Sequence, residues 1–203
     1  SIEKFLIARR LMYSQVYLHK TVLSSELMLV KILQRAKELV SQGHSLFATP
    51  SLNFFLQQRV SMNDFLHHDK CLSHFLQLDD HDVVCSLKVW MHHEDSILAD
   101  LCRRLIDRDL FKVEFIHEKE VSKILPLKQQ IQERFALSEE AMSYYFVEDS
   151  TVNHTYRPGE GDIHISFKNG EVVEISLVEQ TLIREGLLLP IKKHYICHPR
   201  LNK

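Results

Sequence analysis

Arg9, Tyr13, Tyr17 and Lys20 are the residues near the start of the chain best suited to grip an anion, and their spacing is helical. On a helix turning about 100° per residue they fall within an arc of about 80°. Guanidinium and ammonium groups donate to phosphate oxygens, while phenol rings offer stacking surface and a hydroxyl, so such a stripe suits a nucleotide. The same spacing also describes an ordinary helix with solvated cations and half-buried tyrosines, and spacing alone favours that plainer account.

Thirteen histidines are a second source of chemistry, several of them beside carboxylates, at residues 67–69, 79–82 and 92–95. On one continuous helix His67, Cys71 and His74 occupy positions i, i+4 and i+7, where two imidazoles and a thiol could meet one zinc. That is also the core stripe of an amphipathic helix, and a fourth group would have to come from elsewhere. The acids around His81 read as helix N-terminal charges answering the macrodipole, and residues 92–95 as an exposed or interfacial patch. The pair His68-Asp69 lacks the distant His and Asp with which such a dyad builds a metal centre. Gly159 and Gly161 follow Pro158 in a loop and form no phosphate cradle. No cysteine has a His at a spacing that signals nucleophilic catalysis. The residues alone show no complete active site.

The totals narrow the classes further. A chain of 203 residues with 45% hydrophobic content has room for one large or two small domains with a real core. A net charge of −2 gives no general grip on nucleic acid or an anionic membrane, so any anion site must be local. Cys71, Cys85, Cys102 and Cys197 show no CxxC and no disulfide-framework spacing, which points to a reducing, cytoplasmic setting. No apolar run reaches membrane-spanning length, and we expect no signal peptide. The chain opens on Ser1 in mid-helix pattern, and we expect a fragment of something longer.

The elements that must position these residues are helical first. Gly43 and Pro50 are the first Gly and Pro, so the opening is helical, with one helix over residues 3–20 and a second starting near Ser24 or Ser25. The second should carry Leu27, Val30, Leu33, Ala36 and Val40 inward. Helices follow over about 51–59 and 62–76, with Ser61 or Asn63 as a cap, and then from the acids at 79–82 to about Arg108. From residue 111 the pattern changes. FKVEFIHE alternates as a strand, a helix runs from about Lys119 to Phe135 with its start or a kink at Pro126, and AMSYYFVEDS reads as a strand. Asn169-Gly170 joins two further strands, residues 176–186 form a short closing helix, and residues 191–199 a last strand.

The segment IEKFLIARRLMYSQVYLHKTVLSSELMLVKILQRAKEL resembles the helices just downstream of the metal site in HD-domain phosphohydrolases of the deoxynucleoside triphosphate triphosphohydrolase type. The likeness continues through QLDDHDVVCSLKVWMHHEDSILADLCRRLIDRDLFK. It implies a mainly α fold: residues 1–110 as the helical C-terminal part of an HD-type all-α domain, then a small antiparallel α+β unit over 111–203 serving assembly or regulation. It also implies a substrate-phosphate contact at Arg9, a tyrosine packed on the deoxyribose at Tyr17, and a regulatory-nucleotide contact at Lys20, with His19 orienting Tyr17 or meeting phosphate.

The implied reaction is metal-assisted attack of water on a deoxynucleoside triphosphate in a homo-oligomer. The divalent ion would be held in the full-length parent by residues before Ser1, with none expected on this fragment. The other reading is a non-catalytic module that binds a nucleotide or drives oligomerisation.

Overall fold

The computed structural model describes residues 2–153, 159, 162–178 and 191–201. Nine helices among them precede or surround a small sheet. The first seven are α1 (Ile2–Met12), α2 (Lys20–Ser41), α3 (Pro50–Gln57), α4 (Met62–His67), α5 (Asp69–Gln77), α6 (Asp80–Trp90) and α7 (Ser96–Ile106). After strand β1 (Lys112–Ile116) come a 3₁₀ turn and helices α8 (Ile124–Arg134) and α9 (Glu139–Tyr145). Strands β2 (Val147–Asn153), β3 (His164–Ser166), β4 (Val172–Glu174) and β5 (Ile191–His198) follow. No helix among the described residues is long and apolar enough to cross a membrane.

Local chemistry explains most boundaries. His19 caps α2, its Nδ1 accepting the Thr21 N–H at 3.2 Å, and Gly43 ends that helix at φ 93°, a left-handed turn that a glycine accepts without strain. Pro50 opens α3 at a position where its missing N–H costs nothing. Asp64 accepts from the Ser61 N–H and hydroxyl to start α4, and Asp79 with Asp82 forms a capping box at α6.

The main core draws on both sides of residue 111. Met28, Ile32 and Leu39 of α2 and Leu98 and Leu101 of α7 pack with Phe111, Val113, Tyr145, Tyr195 and Cys197. The sheet order is β1-β5-β2, all antiparallel. Alternation splits β5 between its two faces: Tyr195 and Cys197 join the main core, while Ile196 joins Ile131, Met142 and Phe146 beneath α8 and α9. β3 and β4 form a separate hairpin, against which Leu6 and Ile7 of α1 pack through Ile163, Ile165 and Ile175.

Several boundaries differ from the sequence expectation, each for a local reason. α2 begins at Lys20 rather than near Ser24. Ser24 is buried and donates 2.8 Å to the Phe111 carbonyl, tying α2 to the start of β1. The inward face of α2 is Leu23, Met28, Ile32, Arg35, Ala36 and Leu39, while Val30 is exposed. The span 62–76 is two helices broken at His68, whose φ and ψ are extended. The span 80–108 breaks at residues 92–95, where Asp95 caps a new helix. AMSYYFVEDS is half helix, because Ser138 caps α9 and the strand waits until Val147. Pro126 stands at the third residue of α8, and the Asn169-Gly170 hairpin forms as expected. Most of the closing helix expected over 176–186 and most of the loop at 158–161 lie outside the described residues.

Candidate functional site

The helix holding Arg9 does not run straight on to Lys20. At Tyr13–Tyr17 the chain widens into a π-turn, closed by the Leu18 N–H donating to the Tyr13 carbonyl at 2.8 Å. A π-turn is costly and recurs at functional positions. It keeps three of the four sequence-selected residues together: the Arg9 guanidinium lies 5.6 Å from the centre of the Tyr13 ring, and the Tyr13 and Tyr17 rings are 5.0 Å apart, tilted by 49°. Arg9 and Tyr17 are exposed and Tyr13 is half-buried. A cation, a supporting ring and an exposed ring thus form a ladder open to solvent.

Lys20 belongs to a different surface. It opens α2, and its ammonium lies 5.4 Å from the centre of the Phe115 ring on β1. The expected four-residue stripe is therefore divided, because the π-turn and the His19 cap interrupt the regular rotation on which it was drawn. His19 is exposed and spends its Nδ1 on the cap.

Beside Lys20 is a cavity of about 610 Å³, lined also by Arg108, Asp109, Lys112 and Arg200. Asp109 is paired with Arg104 at 2.9 Å, and Lys112 with Glu114 at 2.8 Å. Among the described residues no carboxylate pairs with Lys20, Arg108 or Arg200. Arg108 holds φ at 58°, left-handed backbone that a residue with a Cβ adopts only at a cost. Asp107 lines it too, and the excess of cations over acids around the concavity suits a polyanion.

The zinc arrangement does not form. The break at His68 places His67 at the end of α4, one helix away from Cys71 and His74, so the i, i+4, i+7 register is lost. Cys71 is buried, and His74 is stacked 4.4 Å from Phe54 with its Nδ1 3.3 Å from the Ser51 hydroxyl. Among the described residues no three His, Cys, Asp or Glu side chains converge as a metal site would need.

Residues 92–95 are more than a surface patch. Asp95 caps α7 through the Leu98 N–H at 2.8 Å and binds Arg35 with both oxygens. For Asp95 burial works upward, but the hydrogen bonds from Arg35 and Leu98 outweigh it and hold the carboxyl below its usual range. Arg35 was absent from the sequence reading. The signal was a lone arginine inside the apolar face Ile32, Ala36, Leu39.

No family model matches the chain. It is 33% identical over 197 residues to the uncharacterized protein YwfO of Bacillus subtilis, a match covering 92% of this chain and 42% of YwfO. It is also similar to the crystal structure of a phosphohydrolase from Bacteroides thetaiotaomicron, with a TM-score of 0.83 and 40% identity over 98% of this chain and 50% of that one. The chain thus spans about half the length of the relatives it matches.

Proposed function

We propose that this chain is part of an HD-domain phosphohydrolase acting on deoxynucleoside triphosphates, to which it contributes one wall of the substrate pocket. The observation that carries the reading is the likeness, along nearly the whole chain, to a protein described as a phosphohydrolase. In this reading Arg9 meets the substrate phosphates, with Tyr13 beneath the guanidinium, and the exposed ring of Tyr17 packs on the sugar. Two fixed groups of this kind lower a barrier by orientation and by matching charge that develops on phosphate oxygens.

In this reading the part of this chain is to bind and orient. On the same reading a divalent ion would be held by residues of the whole protein outside this chain. A second reading is favoured by the cavity beside Lys20: a regulatory nucleotide bound there would act on assembly or activity without entering the chemistry. Exposed Phe5, Leu11, Met12 and Val16 on α1 and the π-turn support self-association of the whole protein.

The test is release of triphosphate from dGTP by the intact protein with magnesium or manganese, in wild type and Arg9→Ala. Strong loss with an unchanged melting temperature is expected, and wild-type turnover in that variant overturns the assignment.

A further inference from the structure

A second concavity, of about 560 Å³, opens between α2, the C-terminal end of α3 and α9, on residues distinct from those of the ladder and of the Lys20 cavity. Its floor is apolar, made by Leu56 and the ring of Tyr144, both buried. Its walls carry long donors: Lys31, Gln34 and Lys37 from α2, and Gln57 and Arg59 from the end of α3 and the residues that follow.

The charges of this crevice are unequal. Among the described residues that line it Glu38 is the only acid, and that carboxylate is engaged: it accepts from the Tyr144 hydroxyl and lies 3.3 Å from Arg35. Lys37 gives two of its three N–H groups to the Phe55 and Gln58 carbonyls, at 3.0 and 2.7 Å, which closes the end of α3 and fixes the ammonium in place. The Lys31 ammonium lies 5.9 Å from the centre of the Tyr144 ring. Arg59 is exposed, and among the described residues no carboxylate pairs with either Lys31 or Arg59. Three cations thus face one spent anion, in a chain whose overall charge is slightly negative.

The geometry points to a binding site for a small organic oxyanion here, its phosphate or carboxylate held by Lys31 and Arg59 and its carbon part resting on Leu56 and Tyr144. Arg59 supplies a planar fork, Lys31 a point charge, and Lys37 one donor already fixed by the fold. The volume falls in the range of small-molecule pockets. This site does not depend on the proposed activity, since no residue of the Arg9 ladder takes part in it.

The test is calorimetric titration of the intact protein with inorganic phosphate and, separately, with citrate, in wild type, Lys31→Ala/Arg59→Ala and Lys20→Ala/Arg108→Ala. Saturable binding of at least one probe is expected in wild type. It should weaken tenfold or more in the first double variant and persist in the second. Preference for one probe identifies the head group as phosphate or carboxylate. Unchanged binding in Lys31→Ala/Arg59→Ala, binding lost only with Lys20→Ala/Arg108→Ala, or no saturable binding of either probe overturns the assignment. A melting temperature held in each variant separates lost binding from lost fold.

Discussion

Arg35 and Asp95 meet edge to edge: Nε donates to Oδ1 at 3.2 Å and Nη2 to Oδ2 at 2.7 Å, between the middle of α2 and the first turn of α7. Nη1 reaches Glu140 of α9 at 2.6 Å and Glu38 of α2 itself at 3.3 Å. One guanidinium therefore joins three helices that are distant in sequence, and it does so almost fully buried.

Removing that guanidinium should be severe. Arg35→Met leaves Asp95 without its partner in a partly buried site, and a loss of about 3–5 kcal/mol is expected in urea denaturation. Glu140→Gln, at the exposed end of the same network, should cost less than about 1 kcal/mol. Equal effects of the two changes would refute the buried pair as the organising contact.

Stability should fall in acid through Asp95 and Glu114. Glu114 lies below its usual range because Lys112 and His198 hydrogen-bond to it, with burial opposing. Both carboxyls are depressed in the folded state, so each contributes stability that is fully present above its unfolded pKa. That stability is lost as pH falls through the lower folded value. The loss therefore begins as pH enters the ordinary carboxylate range and is complete only below the folded values. Melting temperature followed against pH should be flatter there for Asp95→Asn and Glu114→Gln than for wild type, even though both variants start lower at neutral pH.

Tyr17 separates ring from hydroxyl. If its face packs on a deoxyribose, Tyr17→Phe should keep near wild-type turnover of dGTP, while Tyr17→Ala should lose about tenfold in kcat/KM, the worth of one aromatic contact. Tyr17→Ala should also narrow the preference for dGTP over GTP. A phenylalanine variant as poor as the alanine one would move the role to the hydroxyl.

Arg108 carries two effects of opposite sign. Arg108→Gly relieves a left-handed residue and should raise stability by about 0.5–1 kcal/mol. The same change removes one cation from the cavity beside Lys20, so any activation by an added nucleotide should weaken, as it should in Lys20→Ala, with basal turnover kept.

Metal content should be indifferent to the conspicuous histidines. Elemental analysis of His67→Ala and His74→Ala should return the wild-type value, since these side chains belong to different helices. A stoichiometric loss of zinc in either variant would restore the site that the helix break dissolves.

Much of this was legible from residue types. The hairpin at Asn169-Gly170, the caps at Ser61 and Asp79 and the strands β1 and β5 depend on a few adjacent residues, and such signals survive in any context. The misses share a different cause. Ser138 capping α9, His68 splitting two helices and Asp95 restarting a third are short polar interruptions inside apolar runs, where periodicity continues to count through the break. The role of Arg35 was missed because two of its three acidic partners lie 60 and 105 residues away. The clustering of Arg9, Tyr13 and Tyr17 was readable from spacing although the π-turn within it was not, since i, i+4, i+8 survives one widened turn.

The position of β5 sets an order of events. It lies between β1 and β2 yet follows both in the chain, so neither neighbour has its partner until residues 191–198 have been synthesised. On the ribosome β1 and β2 must wait as two open edges, with Tyr195 and Cys197 still missing from a core that the helices have already begun. Closure of the sheet is thus a late, long-range step that ties helices made first to a strand made last. A chain stopped before residue 191 would leave both edges bare and prone to pair with other chains.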